Sequence, residues 1–247
     1  MALIVQAPNP TNAQAICAYS KSTENTSTIY RHGYKKLVST VTASGKLMTN
    51  TVLLLLTGGN STRFGSDKMQ AKIGAKTVIE LVVDSINSAG VGSKCYEVGR
   101  GYSNFPRIPD TELNDPLAAI GTAWTKLSTN IDAPSPSIHN ALVIAGDSAW
   151  LDPNTIRYLF DFPGNFNVMP YDGNFQPLCA RWSFRSLETA ANTLSLKQKN
   201  KSVRSSITGP TIIIRDSAWL NDPSNSPFRD VDSQEDYLDL TQTLPAI

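Results

Sequence analysis

Five consecutive aliphatic residues, Val52-Leu53-Leu54-Leu55-Leu56, run straight into Thr57-Gly58-Gly59. A strand with one wet face alternates apolar and polar side chains. An unbroken run marks a strand covered on both faces, as in a parallel sheet. Ala141-Leu142-Val143-Ile144-Ala145 is a second such run, and it ends at Gly146-Asp147. Helical spacing falls between the two. Val78, Ile79, Val82, Val83 and Ile86 share one face of a helix over Thr77–Ala89, with Gly90 as its stop. Pro116–Leu127 reads as a second helix, with proline in its first turn. Asp132–Asn140 holds two prolines and reads as a surface loop. Asp152-Pro153 opens a helix through Phe160, with Asp152 as N-cap. Shorter strands are expected at Lys94–Val98, Phe166–Pro170, Gln176–Arg181 and Thr211–Arg215, the middle two flanking an Asp172-Gly173 turn. A short acidic helix is expected at Gln234–Leu240. Strands alternating with helices predict the α/β class: a three-layer α/β/α sandwich on a mostly parallel sheet. Ligands of such sheets bind beyond the carboxyl ends of the strands. Gly58-Gly59 and Gly146-Asp147 both fall there.

Composition narrows the function. The chain has 247 residues, 40% hydrophobic and 17% charged, enough for a sizeable core without cross-links. Lys plus Arg is 22 and Asp plus Glu is 21, a formal charge of +1. That balance gives no reason to expect nucleic acid or an anionic membrane as partner. No apolar run is long enough to span a bilayer. The beginning lacks the basic and apolar regions of a secretory signal. Cys17, Cys95 and Cys179 form no pair motif, which suits a reducing, cytoplasmic setting.

Residues 1–47 differ from the rest. They carry Lys21, Arg31, Lys35, Lys36 and Lys46 against one acid, Glu24, are rich in Ser, Thr and Asn, and show no sustained period. Ala2–Val5 could make a short strand, with no obvious partner nearby. This segment is expected to be an N-terminal extension, disordered or an upstream reading artefact ahead of Met48. A domain over residues 48–247 follows it. An organelle presequence fits less well, because the segment has a single Arg.

Three places carry chemistry. Gly58, Gly59, Ser61, Arg63 and Lys68 lie within the first loop. Glycines let backbone N–H groups approach an anion, Ser61 adds a hydroxyl, and the two cations suit a polyphosphate. The loop is neither a Walker loop nor a Rossmann fingerprint. Asp147, at a strand's carboxyl end, can hold Mg²⁺ against phosphates; a turn or cap aspartate is the plainer alternative. Asp230-Val231-Asp232 either turns both carboxylates to one face, toward a metal or substrate, or forms the turn that caps the next helix. His32 and His139 have no partner at ligand or triad spacing. Cys179 reads as packed, and the four tryptophans as core or rim.

The loop Leu56-Thr57-Gly58-Gly59-Asn60-Ser61-Thr62-Arg63-Phe64-Gly65-Ser66-Asp67-Lys68 resembles the signature L-x-G-G-x-S-x-R-x-G-x-D-K of molybdenum cofactor guanylyltransferases. These belong to the nucleotidyltransferases with a glycosyltransferase-A-like, nucleotide-diphospho-sugar-transferase-like (Rossmann-like) fold. Four further elements follow in the family's order: Asp115-Pro116-Leu117-Ala118-Ala119, Ala145-Gly146-Asp147, Gln176-Pro177-Leu178-Cys179-Ala180 and Asp230-Val231-Asp232-Ser233-Gln234-Glu235-Asp236. The resemblance covers about residues 51–238.

It implies transfer of GMP from GTP to molybdopterin, with loss of pyrophosphate and dependence on Mg²⁺. It assigns Lys68, Arg63 and Asp147 to catalysis. Leu56, Gly58, Gly59, Ser61, Lys68, Asp110, Pro116 and Leu117 go to the nucleotide, and Gln176, Pro177, Asp230 and Asp232 to the pterin substrate. Asp147 would hold the metal, with Asp232 as a second candidate. Implied partners are GTP, molybdopterin, and molybdoenzyme apoproteins or delivery chaperones. Asp115 and Ala119 stand where the family has glycine, and Val98-Gly99-Arg100 lacks an Asn that many relatives carry. The alternatives are a cytidylyl or other phosphate-acceptor transferase of the same fold, and a non-catalytic nucleotide-binding partner that delivers cofactor.

Overall fold

The structure, a computed structural model, describes residues 2–6, 17–18, 50–58, 67–109, 115–129, 138–196, 202–215 and 226–243. For 2–6 and 17–18 it describes the backbone. In chain order the elements are β1 (Ala2–Gln6), β2 (Cys17–Ala18), β3 (Thr51–Leu56), β4 (Lys72–Ile73), β5 (Lys76–Thr77), α1 (Val78–Ser88), β6 (Cys95–Val98), β7 (Arg107–Ile108), α2 (Pro116–Ser128), β8 (Asn140–Ala145), α3 (Pro153–Asp161), β9 (Asn167–Tyr171), β10 (Cys179–Ser183), α4 (Phe184–Ser195), β11 (Thr211–Arg215) and α5 (Gln234–Thr243). Single 3₁₀ turns intervene, one of them at Lys68–Gln70.

Among the described residues the main sheet runs β2-β1-β11-β9-β10-β8-β3-β6-β7. β10 runs antiparallel to β8 and β9, and β2 antiparallel to β1; the other pairs are parallel. The carboxyl ends of β3, β6, β8, β9 and β11 therefore share one edge. The expected three-layer α/β/α architecture is what forms. The unbroken apolar runs explain it. Leu53 and Leu55 of β3 face one side with Leu142 and Ile144 of β8, under Ile79, Val82 and Ile86 of α1 and Ile156 and Leu159 of α3. Val52, Leu54 and Leu56 face the other side with Ala141 and Val143, under Ile120 and Trp124 of α2 and Leu187 of α4. Leu53, Leu54 and Leu55 have no exposed surface. Burial of each contributes roughly 1.5–3 kcal/mol.

Helix starts follow the chain's own signals. Thr77 and Glu80 form a reciprocal capping box on α1. Asp152 accepts from the amides of Asn154 and Thr155 at 2.9 and 3.0 Å, ahead of Pro153 in the first turn of α3. Asp115 accepts from Leu117 N at 2.8 Å and caps α2, so the departure from glycine there serves the helix. Gly121 lets α2 and α4 approach closely; a Cβ there would stand 2.8 Å from the Ala190 carbonyl oxygen.

Three features depart from the sequence reading. The strand expected at Gln176–Arg181 begins at Cys179, because Gln176-Pro177 lies in the preceding turn and proline has no amide for a ladder. α4 and β7 were not foreseen. α4 is amphipathic, burying Leu187, Ala190 and Thr193, but its polar residues mask the period. β1 finds its partner at the far end of the sequence, pairing with β11 from Ala2↔Thr211 to Gln6↔Arg215. Two strands of the N-terminal segment thus extend one edge of the sheet. No helix among the described residues is long and apolar enough to cross a membrane.

Candidate active site

Lys68 is carried on a 3₁₀ turn whose N-cap, Asp67, accepts from Met69 N at 3.2 Å. That turn lies against the end of β8. Gly146 N donates to Leu56 O at 2.9 Å, and a Cβ on Gly146 would meet Leu56 O at 3.0 Å and Met69 Sδ at 3.1 Å. The close approach carries Asp147 to Lys68, and the two form an ion pair. The Lys68 ammonium also donates to Asp232 Oδ1 at 2.8 Å. Burial alone would lower its pKa. The charge of Asp147 and the bonds to both carboxylates outweigh burial and hold it above the ordinary value.

Residues 230–232 are strapped across the end of β8. Val231 N donates to Asp147 O at 3.2 Å, and Val231 is buried beside Ile73, Val78, Ala149 and Leu240. Asp230 turns inward and accepts from Ser148 Oγ at 2.9 Å. Burial, then the neighbouring Asp147 charge, push its pKa up to about 7. Asp232 turns outward to Lys68. The capping reading of the Asp-Val-Asp element holds, since Ser233 caps α5 by accepting from Asp236 N at 3.2 Å; the two carboxylates do not share a face, Asp232 meeting Lys68 and Asp230 meeting Ser148.

Further along the same edge, Gln176 Nε2 donates to Asp172 Oδ1 at 2.9 Å, and Ser226 Oγ donates to the other oxygen of that carboxylate. Pro177 O accepts from Trp182 Nε1 at 2.9 Å. Arg215 lies over the Tyr171 ring and Arg204 over the Phe175 ring, at 4.6 and 3.8 Å from the centroids. Cys179 is buried, as expected of a packed thiol, and burial raises its pKa to about 12.

The structure thus brings Lys68, Asp147, Asp230 and Asp232 together, from three stretches of sequence. Gln176 and Pro177 lie along the same edge. Gly58 lies two residues beyond the end of β3, and Leu56 packs in the core with its carbonyl engaged by Gly146. Pro116 and Leu117 open α2; the Leu117 side chain is buried and its amide is held by Asp115. Gly59, Ser61, Arg63 and Asp110 lie outside the described residues.

One group near the site escaped the sequence reading. Glu97, at the end of β6, is fully buried. Its Oε1 accepts from Thr57 Oγ1 at 2.5 Å and from the amides of Gly101 and Tyr102, each at 2.7 Å. Its Oε2 accepts from Ser103 N at 2.8 Å and Ser103 Oγ at 2.6 Å. Burial pushes its pKa up; the bonds from Ser103, Thr57 and the Tyr102 amide outweigh burial and leave it lowered. The loop so fixed carries Tyr102 and Arg100, both bonded to Asp67, the Arg100 contact at 3.2 Å. Thr57 also accepts from Arg100 N at 3.0 Å. An acid at the end of an otherwise apolar strand was the available signal.

For a divalent cation the donor set is suitable but small. Among the described residues no three His, Cys, Asp or Glu side chains group as a metal site. Asp147 and Asp232 nevertheless converge on one cation, the Lys68 ammonium. Two carboxylate oxygens, completed by phosphate oxygens and water, are what Mg²⁺ ordinarily takes in nucleotide enzymes.

A mostly parallel α/β sheet with charged side chains beyond its carboxyl edge is suited to binding a ligand there. Residues 53–209 match the MobA-like NTP transferase domain, and the chain belongs to that family. Solved structures share the fold at low identity. Molybdopterin-guanine dinucleotide biosynthesis protein A from Archaeoglobus fulgidus is 15% identical, with a TM-score of 0.58 over 77% of this chain and 96% of that one. Rv0371C from Mycobacterium tuberculosis, in complex with manganese, is 15% identical, with a TM-score of 0.55 over 79% of this chain and 100% of that one. A cytidylyltransferase from Leptospira borgpetersenii is 12% identical, with a TM-score of 0.55 over 80% of this chain and 89% of that one. No curated protein matches the sequence.

Proposed function

We propose that this nucleotidyltransferase joins GMP from GTP to molybdopterin, releasing pyrophosphate. The observation that carries the reading is the convergence of Lys68, Asp147 and Asp232 where the sequence resembles the guanylyl family's signature loop, G-D element and Asp-x-Asp element. A phosphate oxygen of the acceptor attacks the α-phosphate of the nucleotide, and pyrophosphate leaves. The nucleophile is already anionic, so no strong general base is required. Rate enhancement comes from in-line positioning and charge neutralisation. Lys68 offsets charge on the α-phosphate, and Arg63 that on the β- and γ-phosphates. The backbone around Gly58, Gly59 and Ser61 cradles the triphosphate, and Asp110, Pro116 and Leu117 border the nucleoside. Gln176, Pro177, Asp230 and Asp232 face the pterin. Asp147, with Asp232, holds Mg²⁺, which when bound neutralises phosphate charge. The catalytic unit is residues 48–247.

Transfer to the cytidine analogue is the second reading, favoured by one observation. Val98-Gly99-Arg100 lacks an Asn that many guanylyl relatives carry there, and Arg100 is instead tied to Asp67 and Tyr102. Thermal stability with Mg²⁺ and each of GTP, ATP, CTP and UTP tests both, since a ligand of the folded state raises its melting temperature. A Mg²⁺-dependent rise with GTP alone, followed by GTP-dependent pyrophosphate release with molybdopterin, is expected. A rise with CTP alone moves the product to the cytidine dinucleotide. No rise with any nucleotide, with molybdopterin absent or present, refutes both the guanylyl and the cytidylyl reading.

A further inference from the structure

We infer that the Lys68 ammonium is the resident counter-ion of the Asp147–Asp232 pair, so that a divalent cation gains this pair only when a nucleotide's phosphates draw Lys68 away. The inference rests on the proposed nucleotide and metal roles of these residues and adds an order of events to them. Asp147 follows β8, Asp232 precedes α5 and Lys68 follows β3. Residues so distant in sequence meet at one positive centre. The Lys68 side chain retains 16% of its exposure and that of Asp147 13%, so their attraction is only partly screened by water.

At the two oxygens that Lys68 engages, ammonium and divalent ion are exclusive. Lys68 Nζ contacts an oxygen of each carboxylate, and a divalent ion ligated by those same oxygens would stand on the ammonium's position. Oxygen–Mg²⁺ distances are about 2.0–2.1 Å, shorter than an ammonium–carboxylate contact, and the two positive charges repel. A metal arriving alone must displace the Lys68 ammonium from both Asp147 and Asp232. A nucleotide changes the balance. Its triphosphate brings the metal and gives the lysine a new anion within reach of its flexible stem. Metal and nucleotide then bind with positive coupling, each tightening the other by the same factor.

The unusual consequence is that removing a catalytic lysine improves metal binding. Lys68→Met removes the ammonium that Asp147 and Asp232 share. Mn²⁺ alone should then bind about tenfold or more tightly than to the unsubstituted protein, within the usual span of coupling energies. Lys68→Arg keeps the charge and should stay weak. The experiment titrates Mn²⁺ into the full chain and reads free Mn²⁺ by electron paramagnetic resonance, with and without a non-hydrolysable GTP analogue. Melting curves check that each variant is folded, and Lys68→Gln replaces Lys68→Met should the latter not fold.

Weak binding by the parent alone, tight binding with the analogue, and tight binding by Lys68→Met alone support the inference. Equal Mn²⁺ affinity of parent and Lys68→Met without nucleotide overturns it, while analogue-dependent Mn²⁺ binding by the parent leaves the metal reading standing. Absence of Mn²⁺ binding to a parent that does bind the analogue overturns both. Tight binding by Lys68→Arg alone also overturns the counter-ion role, since charge would then not be what excludes the metal.

Discussion

Glu97→Gln isolates the physics that fixes residues 101–103 beside Thr57. The carboxylate is fully buried and accepts five hydrogen bonds, three at one oxygen and two at the other. Glutamine matches its shape but has one acceptor oxygen and one NH₂. With the oxygen placed toward Thr57, Gly101 and Tyr102, the NH₂ faces Ser103. The Ser103 hydroxyl can rotate to accept, but its amide cannot, and a buried donor left without a partner costs about 1–3 kcal/mol. The three bonds that remain lose charge assistance, a drop of about 1 kcal/mol each. Against this stands the relief of not burying a charge, which offsets only about 2 kcal/mol because the hydrogen bonds already outweigh the cost of burial. The net expectation is a loss of about 2–4 kcal/mol, or a fall in melting temperature of roughly 5–15 °C for a domain of this size.

The pH dependence has a definite sign. Glu97 is held below its ordinary value in the folded state, so its ionised form favours folding. That contribution is fully present above the unfolded pKa of about 4.5 and is lost as pH falls through the folded value. Urea unfolding at pH 7 should show the full difference between parent and variant, and the difference should shrink only below about pH 4.5. A variant within 0.5 kcal/mol of the parent at pH 7, roughly the scatter expected at an indifferent surface position, would refute the reasoning.

Three other perturbations test separate links. Gly121→Ala pits helix propensity, a gain of about 1 kcal/mol, against a Cβ 2.8 Å from the Ala190 carbonyl oxygen and 3.2 Å from Ala191 Cα. Those atoms are backbone, so overpacking should win by about 1–3 kcal/mol; unchanged or raised stability in denaturant would show that α2 and α4 separate freely. Asp147→Asn should cut turnover by about 100-fold or more and abolish the Mg²⁺-dependent rise in melting temperature with nucleotide; retained pyrophosphate release would remove Asp147 from the chemistry. A chain beginning at Met48 should keep its nucleotide-dependent stabilisation, because β1 adds to an edge strand remote in the sheet from β3 and β6; loss of that response would make the N-terminal strands part of the catalytic unit.

What the sequence disclosed and what it hid divide along a physical line. Val52–Leu56 and Ala141–Ala145 announce buried parallel strands because burial on both faces leaves no polar position to blur the pattern. Asp147 is legible because a charge just after such a strand must answer to something at the sheet's carboxyl edge, and Lys68 because it closes the loop of glycines and cations that follows β3. The pairing of Asp232 with Lys68 could be suspected only through the resemblance, since nothing local links residues so far apart. α4 was lost because Arg185, Glu188 and Asn192 interrupt a face whose buried members include Ala190 and Thr193, residues that carry little hydrophobic signal.

Glu97 was lost for a different reason, and it shows how the site is built. Its partners are mostly backbone amides of Gly101, Tyr102 and Ser103, which any sequence offers, so no motif marks them. The loop they form must also pass within touching distance of the glycine loop. A Cβ on Gly99 would stand 2.5 Å from Gly58 N, and Gly99 has a φ of +138°, so both space and backbone exclude a side chain. From there Tyr102 and Arg100 reach Asp67, which caps the turn bearing Lys68. The visible motif supplies the charges. The hidden carboxylate fixes the loop that reaches Asp67, the cap of the turn that bears Lys68.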